Sequence, residues 1–344
     1  GLDVRDAAFD DWKQSLSMRR AAPSPDAPAT PAVNSGMHAL TIRAAMSEVG
    51  SGIERITSQI IADQVAKSLE ERLSALRFAD YERPRTDDAP DVEIRCDVAE
   101  DGQRGVVFLR VESGRDGRVL FSGHRSVPGV ASDVISAEVI SGLVHSAASK
   151  IVHRLPAMVD LNRPEAAAMG FSSLGLRKLA RFDPKAFEDA QGYFHKAYET
   201  DANGIHLAWR AFVRMAQLVE GAGSDRQSWL NEAEALTRKS LEASQDNGLA
   251  MALVALTRIM LEDDLQAPAE LAQQAIRWND NNLFAKQTLA VAHSAVGDTR
   301  KAYELSAACR RSAPDDELSH LWDLYHALVC ISAGRLPEAR AAAA

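Results

Sequence analysis

Cysteine is scarce in this chain of 344 residues: Cys96, Cys309 and Cys330 are the full set of 3. They are odd in number and widely scattered, with no CxxC pair and no Cys/His zinc spacing. That argues against a disulfide framework and for buried free thiols in a reducing, cytoplasmic compartment. Basic charge is short as well. Lys and Arg total 39 against 48 Asp and Glu, a formal net charge of -9. A surface of that sign repels phosphate backbones, so no direct contact with DNA or RNA is expected from these residues. No run of about 18 apolar residues occurs, so no membrane-spanning helix is expected. Residues 1–12 are acidic, without the basic start and apolar stretch of a signal peptide. The chain opens on Gly1 rather than Met, and it reads as a portion of a longer protein.

Chemistry-bearing motifs are missing too. There is no GxxxxGK[ST] phosphate loop and no HExxH. Gly50-Ser51-Gly52 reads as a bare turn. His145 and His153 stand eight apart on one helix face, whereas a metal site wants two His at i, i+4 and a carboxylate. They read as surface histidines. A helix surface equally explains His320 and His326 around Trp322 and Asp323. Glu262-Asp263-Asp264 reads as a solvated turn rather than a cation site. No Ser/His/Asp set presents itself as a triad. Neither catalytic residues, nor a metal, nor a cofactor is expected, which leaves binding as the mode of action.

What is present is enough apolar material for real cores, 46% of residues, divided among four regions. Residues 1–20 hold a short amphipathic segment, with Phe9, Trp12 and Leu16 at helical spacing. Residues 21–36 form a linker carrying Pro23, Pro25, Pro28 and Pro31 among Ala, Ser and Thr. Residues 37–158 read as an α+β domain of order β-α-β-β-β-α. A strand runs through Leu40-Thr41-Ile42. A helix follows, with Ile56, Ile60, Ile61, Val65, Leu69, Leu73 and Leu76 at three- and four-residue spacing. Three strands with Gly/Asp turns come next, Val92 to Val98, Val106 to Val111 and Arg118 to Arg125, the pattern of an antiparallel meander. The closing helix carries Val134, Ile135, Val139, Leu143, Ile151 and Val152.

Residues 164–344 contain no credible strand and are rich in Ala, Leu, Glu and Arg. Turn formers interrupt the helical pattern every 15 or so residues. From Asn282 to Pro314, Ala290 and Ala302 are small where two helices cross. Gly297-Asp298 turns the chain and Pro314 ends the unit. Gly334 and Ala339 repeat Gly297 and Ala302 37 positions on. Looser copies upstream run through Ala190, Phe194 and Ala197, then Ala233, Ser240 and Leu241, then Ala272, Ala275 and Ile276. This pattern resembles the tetratricopeptide unit, a helical hairpin of roughly 34 residues. Four full hairpins and the start of a fifth are expected, stacked as an all-α solenoid because one hairpin cannot bury its apolar face alone.

The β-α-β-β-β-α segment is similar to the TolB-like module of bacterial regulators and nucleotide cyclases. The similarity is carried by Leu40-Thr41-Ile42, by the helix from Ile60 to Leu73, by Asp91-Val92-Glu93-Ile94-Arg95-Cys96-Asp97-Val98 and by Phe121-Ser122-Gly123-His124-Arg125. Tetratricopeptide repeats follow that module directly in such proteins. The family's Phe-Asn and Asp-Gly-Leu features are absent; Ala45-Met46-Ser47 and Ala62-Asp63-Gln64 stand there instead. Phe9 and Trp12 in the acidic opening resemble a Phe-x-x-Trp helix that closes the activation region of bacterial winged-helix transcriptional activators. Together these resemblances imply the sensor or interaction region of such a regulator. A regulatory region of a nucleotide cyclase and a free-standing scaffold are the alternatives.

In the tetratricopeptide family, set positions on each first helix face a concave groove. Carried onto this chain they are His206, Trp209, Phe284, Gln287 and Ser294. An exposed Trp beside a His would anchor a peptide or a small aromatic ligand, so a protein or small-molecule partner is expected in the groove. The competing reading packs Trp209 between hairpins.

Overall fold

The computed structural model describes residues 40–73, 76–78, 90–135, 138–155, 163–221, 226–262, 264–314 and 316–343. The amphipathic segment 1–20 and the linker 21–36 lie outside them.

The chain enters on β1 (Thr41–Ala45) and crosses over through α1 (Gly52–Leu73) to β2 (Leu76–Phe78), which lies parallel beside β1. It returns on the other side of β1 as β3 (Val92–Asp101), again parallel, with Ile42 opposite Val92. β4 (Arg104–Ser113) and β5 (Val119–Pro128) then complete an antiparallel meander. The sheet has five strands in the order β2-β1-β3-β4-β5. Its alternation is plain in β4, where Val107, Leu109 and Val111 face the core and Phe108 and Arg110 face away. The covering layer is α1, then a single turn α2 (Ala131–Val134), then α3 (Glu138–Arg154).

Two details differ from the expected β-α-β-β-β-α order. Leu76 does not end the first helix but opens β2, an edge strand of three residues that is too short to show alternation. The closing helix is two helices, since α2 and α3 are separate elements.

Among the described residues after position 163 every regular element is a helix. They are α4 (Pro164–Leu179), α5 (Pro184–Thr200), α6 (Gly204–Val219), α7 (Arg226–Ala243), α8 (Gly248–Leu261), α9 (Gln266–Trp278), α10 (Leu283–Ala295), α11 (Thr299–Ser312), α12 (Ser319–Ser332) and α13 (Leu336–Ala342). Each even-numbered helix packs on the one after it, which makes five successive pairs. Further along, α6 packs on α8, α8 on α10 and α10 on α12, so first helices also meet first helices. Ala190, Ala290 and Ala302 are fully buried at 0% exposure, as close helix crossings require.

The turns within pairs share a device. Gly297 (φ 84°) and Gly334 (φ 71°) take the left-handed conformation that a side chain disfavours. At Gly297 the next residue, Asp298, then caps α11 by accepting from the Lys301 amide. In the first pair Asp183 caps α5 in the same way, from the Ala186 amide. The residue before it is Phe182, held at φ 51°. Its ring packs edge-on against Phe187 at 5.1 Å and against His320 of α12 at 5.4 Å. An aromatic therefore stands where the turns at Gly297 and Gly334 use glycine, and its ring contact joins the first pair to the last.

Candidate functional site

Four of the five positions expected to line a groove are buried instead. Trp209 is 5% exposed, Phe284 4%, His206 3% and Gln287 0%; Ser294 is half-buried. Trp209 stacks on Phe194 with rings 5.8 Å apart, and meets Phe284 edge-on at 5.4 Å. Phe284 in turn lies 4.9 Å from Trp322. These rings come from α5, α6, α10 and α12, so aromatic side chains from different pairs meet where an open groove was expected. The reading of Trp209 as an exposed anchor is thereby corrected. The physical reason is that large apolar rings on facing helices gain more from burying one another than from standing in water. His206 is sealed in as well. Its Nδ1 lies 2.8 Å from the Ser172 hydroxyl, and burial lowers its pKa to about 4. Gln287 has neither amide oxygen nor amide nitrogen partnered within the described residues.

The polar chemistry gathers elsewhere, in the seam where α1 and α3 meet the helical pairs. Three successive loops supply it, each leading into a first helix. Before α8, Asn247 caps the helix through Oδ1, accepting from the Ala250 amide. Its Nδ2 donates to the main-chain oxygen of Glu71 at 2.8 Å. Before α10, Asn279 Nδ2 donates to Glu71 Oε2 at 2.7 Å and reaches Ser68 Oγ at 3.2 Å. Beside it, Ser141 of α3 donates to Asn281 Oδ1 at 2.6 Å. Before α12, Asp316 bonds to Nε2 of His145, and Arg72 Nη2 lies 3.5 Å from the other ring nitrogen. At the rim Arg311 grips Glu138 with two bonds of 2.6 and 2.8 Å.

Burial sets the electrostatics. It raises the Glu71 carboxyl to about 7, overcoming the Asn279 hydrogen bond and the nearby Arg72 and Lys67 charges. Its Oε1 has no partner among the described residues. A side chain at Gly248 would strike that oxygen, since a Cβ there would lie 2.5 Å from it. Asp316 is opposite in sense. Burial pushes it up, but the charge and hydrogen bond of His145, the Leu318 amide and Arg72 outweigh that and hold it well below the carboxylate range. The cavity between Glu71, His145, Asn279 and Phe284 measures about 10 Å³, room for about one water. These acid and base groups bond α1 and α3 to the loops of the helical pairs.

Sequence reasoning missed this cluster. His145, read as a surface histidine, is 5% exposed, and so is His326, whose Nδ1 lies 2.9 Å from Ser306 Oγ. Glu71 stands in a Glu-Glu-Arg run that looks like a solvated helix face. Its only signal is indirect: the polar run Asn279-Asp280-Asn281-Asn282 stands in a loop, and a polar loop can serve a second surface. The free thiols Cys96, Cys309 and Cys330 are buried, as expected. Burial pushes Cys96 and Cys309 up to about 12, which keeps them protonated. Among the described residues no group of His, Cys, Asp and Glu could hold a metal ion, and no helix is long and apolar enough to cross a membrane. No protein-family model matches the chain, and no curated protein matches it.

Proposed function

We propose that this chain is the sensor and interaction region of a bacterial transcriptional regulator, in which a TolB-like part and a tetratricopeptide-type array work as one non-catalytic body. The observation that carries the reading is the seam. Loops from three successive helix pairs hold α1 and α3 through buried amides and charges. A partner that shifts one pair against the next would move those loops and so load the sheet part directly. The stacking of first helix on first helix supports the tetratricopeptide assignment. The aromatic filling at Trp209 and Phe284 directs the protein or small-molecule partner to the outer faces. A net charge of -9 leaves DNA contact to another region.

The test uses the natural gene. Deleting residues 37–344 should change transcription of the target promoter while promoter occupancy persists. The 344-residue chain alone should show no salt-dependent DNA binding. Unchanged transcription, or a natural gene with no DNA-binding region upstream, would overturn the proposal.

A further inference from the structure

One buried acid in the seam is held by fewer bonds than an ionised carboxylate needs. Glu71 is 7% exposed. Its Oε2 accepts from Asn279 Nδ2, and its Oε1 has no partner among the described residues. The backbone closes tightly around it. Asn247 Nδ2 donates to the Glu71 main-chain oxygen, and Gly248 opens α8 beside Oε1 with no room for a Cβ. The adjoining cavity has space for about one water. An ionised carboxylate here would keep one oxygen away from any protein donor, whereas a neutral carboxyl carries far less of that penalty. The charges that face Glu71 do not remove the difficulty. Along α1, Lys67 and Arg72 favour the ionised form and Glu70 opposes it. Lys67 is also drawn over the Trp278 ring at 5.5 Å, and Arg72 reaches His145. α3 brings His145 and the loop before α12 brings Asp316, bonded to each other. The loops before α8 and α10 offer amides, and their acids Asp246 and Asp280 are exposed.

From this geometry we infer that Glu71 is a pH-sensitive latch on the seam. Protonated, it lets α1 lie against the loops before α8 and α10; ionised, it loosens that contact. The inference concerns the joint between the sheet part and the helical pairs, and holds whatever the chain regulates. The closed seam keeps the carboxyl at about 7, and an open seam returns it to water and to 4.5. A value raised by closure means that closure is favoured in acid and weakened as pH rises. Across that difference, opening should be about tenfold more frequent at about pH 8 than at about pH 6.

Hydrogen exchange of the full chain at those two pH values, with times scaled for the chemical exchange rate, reads the opening. Amides in the last turn of α1 and the first turns of α8 and α10 should exchange about tenfold faster at the higher pH. Those of α7 should not. Glu71→Gln keeps the acceptor for Asn279 and cannot ionise, so the rise should vanish. Because His145 can titrate as well, the comparison with this variant isolates Glu71. If Glu71→Gln does not fold, Glu71→Met, equally without charge, takes its place. Seam exchange that ignores pH in the wild type, a rise that persists in the uncharged variant, or an equal rise in α7 would each overturn the inference.

Discussion

Replacing Glu71 with Gln isolates the carboxyl at the centre of the seam. In the folded chain it titrates at about 7, against an ordinary 4.5. The folded state therefore holds a proton that the unfolded state has already released, and stability falls as pH rises from 4.5 to about 7. At about 1.4 kcal/mol per pH unit across that gap, the fall is roughly 3 kcal/mol. His206 works in the opposite sense. Its folded value is about 4 against 6.5, so the unfolded chain takes up the proton first. Stability is lost as pH drops from 6.5 to about 4, again by roughly 3 kcal/mol. Over the shared window these two contributions oppose each other, and the lowered values of His293, His320 and His326 add to the His206 side. Glu71→Gln removes one slope and uncovers the other: its stability should rise with pH up to about 6.5. Above neutrality the variant should exceed the wild type by up to roughly 3 kcal/mol. His206→Gln should do the reverse, losing stability relative to the wild type as pH rises from about 5 to about 7. Urea unfolding in half-unit steps of pH reads both curves. Parallel curves for the wild type and Glu71→Gln would refute the reasoning, because they would mean that Glu71 is ionised and solvated in the folded chain.

Trp209→Ala should cost about 3–5 kcal/mol, since it removes a ring packed against three others; an unchanged melting temperature would restore the exposed-anchor reading. Gln287→Leu should stabilise by about 1–3 kcal/mol by removing a fully buried amide without partners, measured by the urea midpoint. At Phe182 the usual ranking should invert. Phe182→Gly should be more stable than Phe182→Ala by about 1 kcal/mol, because only glycine accepts φ 51° freely; the reverse order in thermal melts would count against strain at this turn.

Much of the fold was legible because it rests on short-range patterns. The apolar spacing from Ile56 to Leu73 and the Gly102 and Gly117 turns place α1 and the meander correctly. Small residues at Ala190, Ala290 and Ala302 mark crossings that the structure buries. β2 was not legible. Three residues cannot display a period of two, and that strand is defined by its parallel partner β1 rather than by its own composition. The length of the closing helix misled in a different way. Its apolar residues continue through Ile135, but α2 ends at Val134 and α3 begins at Glu138.

The site was illegible for a reason that lies beyond any single element. Placing Trp209 and Phe284 on the inward side of their helices is a local inference, and the structure does turn both inward. Whether an inward side is a groove or a core depends on how tightly successive pairs coil, which sums the angles between all of them. Residues nearby in sequence do not report that sum. Phe182 does report on it, because its ring reaches His320, 138 positions later. Its identity was the available clue: a bulky ring at the turn position where Gly297 and Gly334 stand implies that something distant compensates the left-handed backbone. The seam follows the same logic. Glu71, His145 and Asp316 look solvated one at a time, and only the docking of α1 and α3 on three consecutive loops takes them out of water and couples their charges.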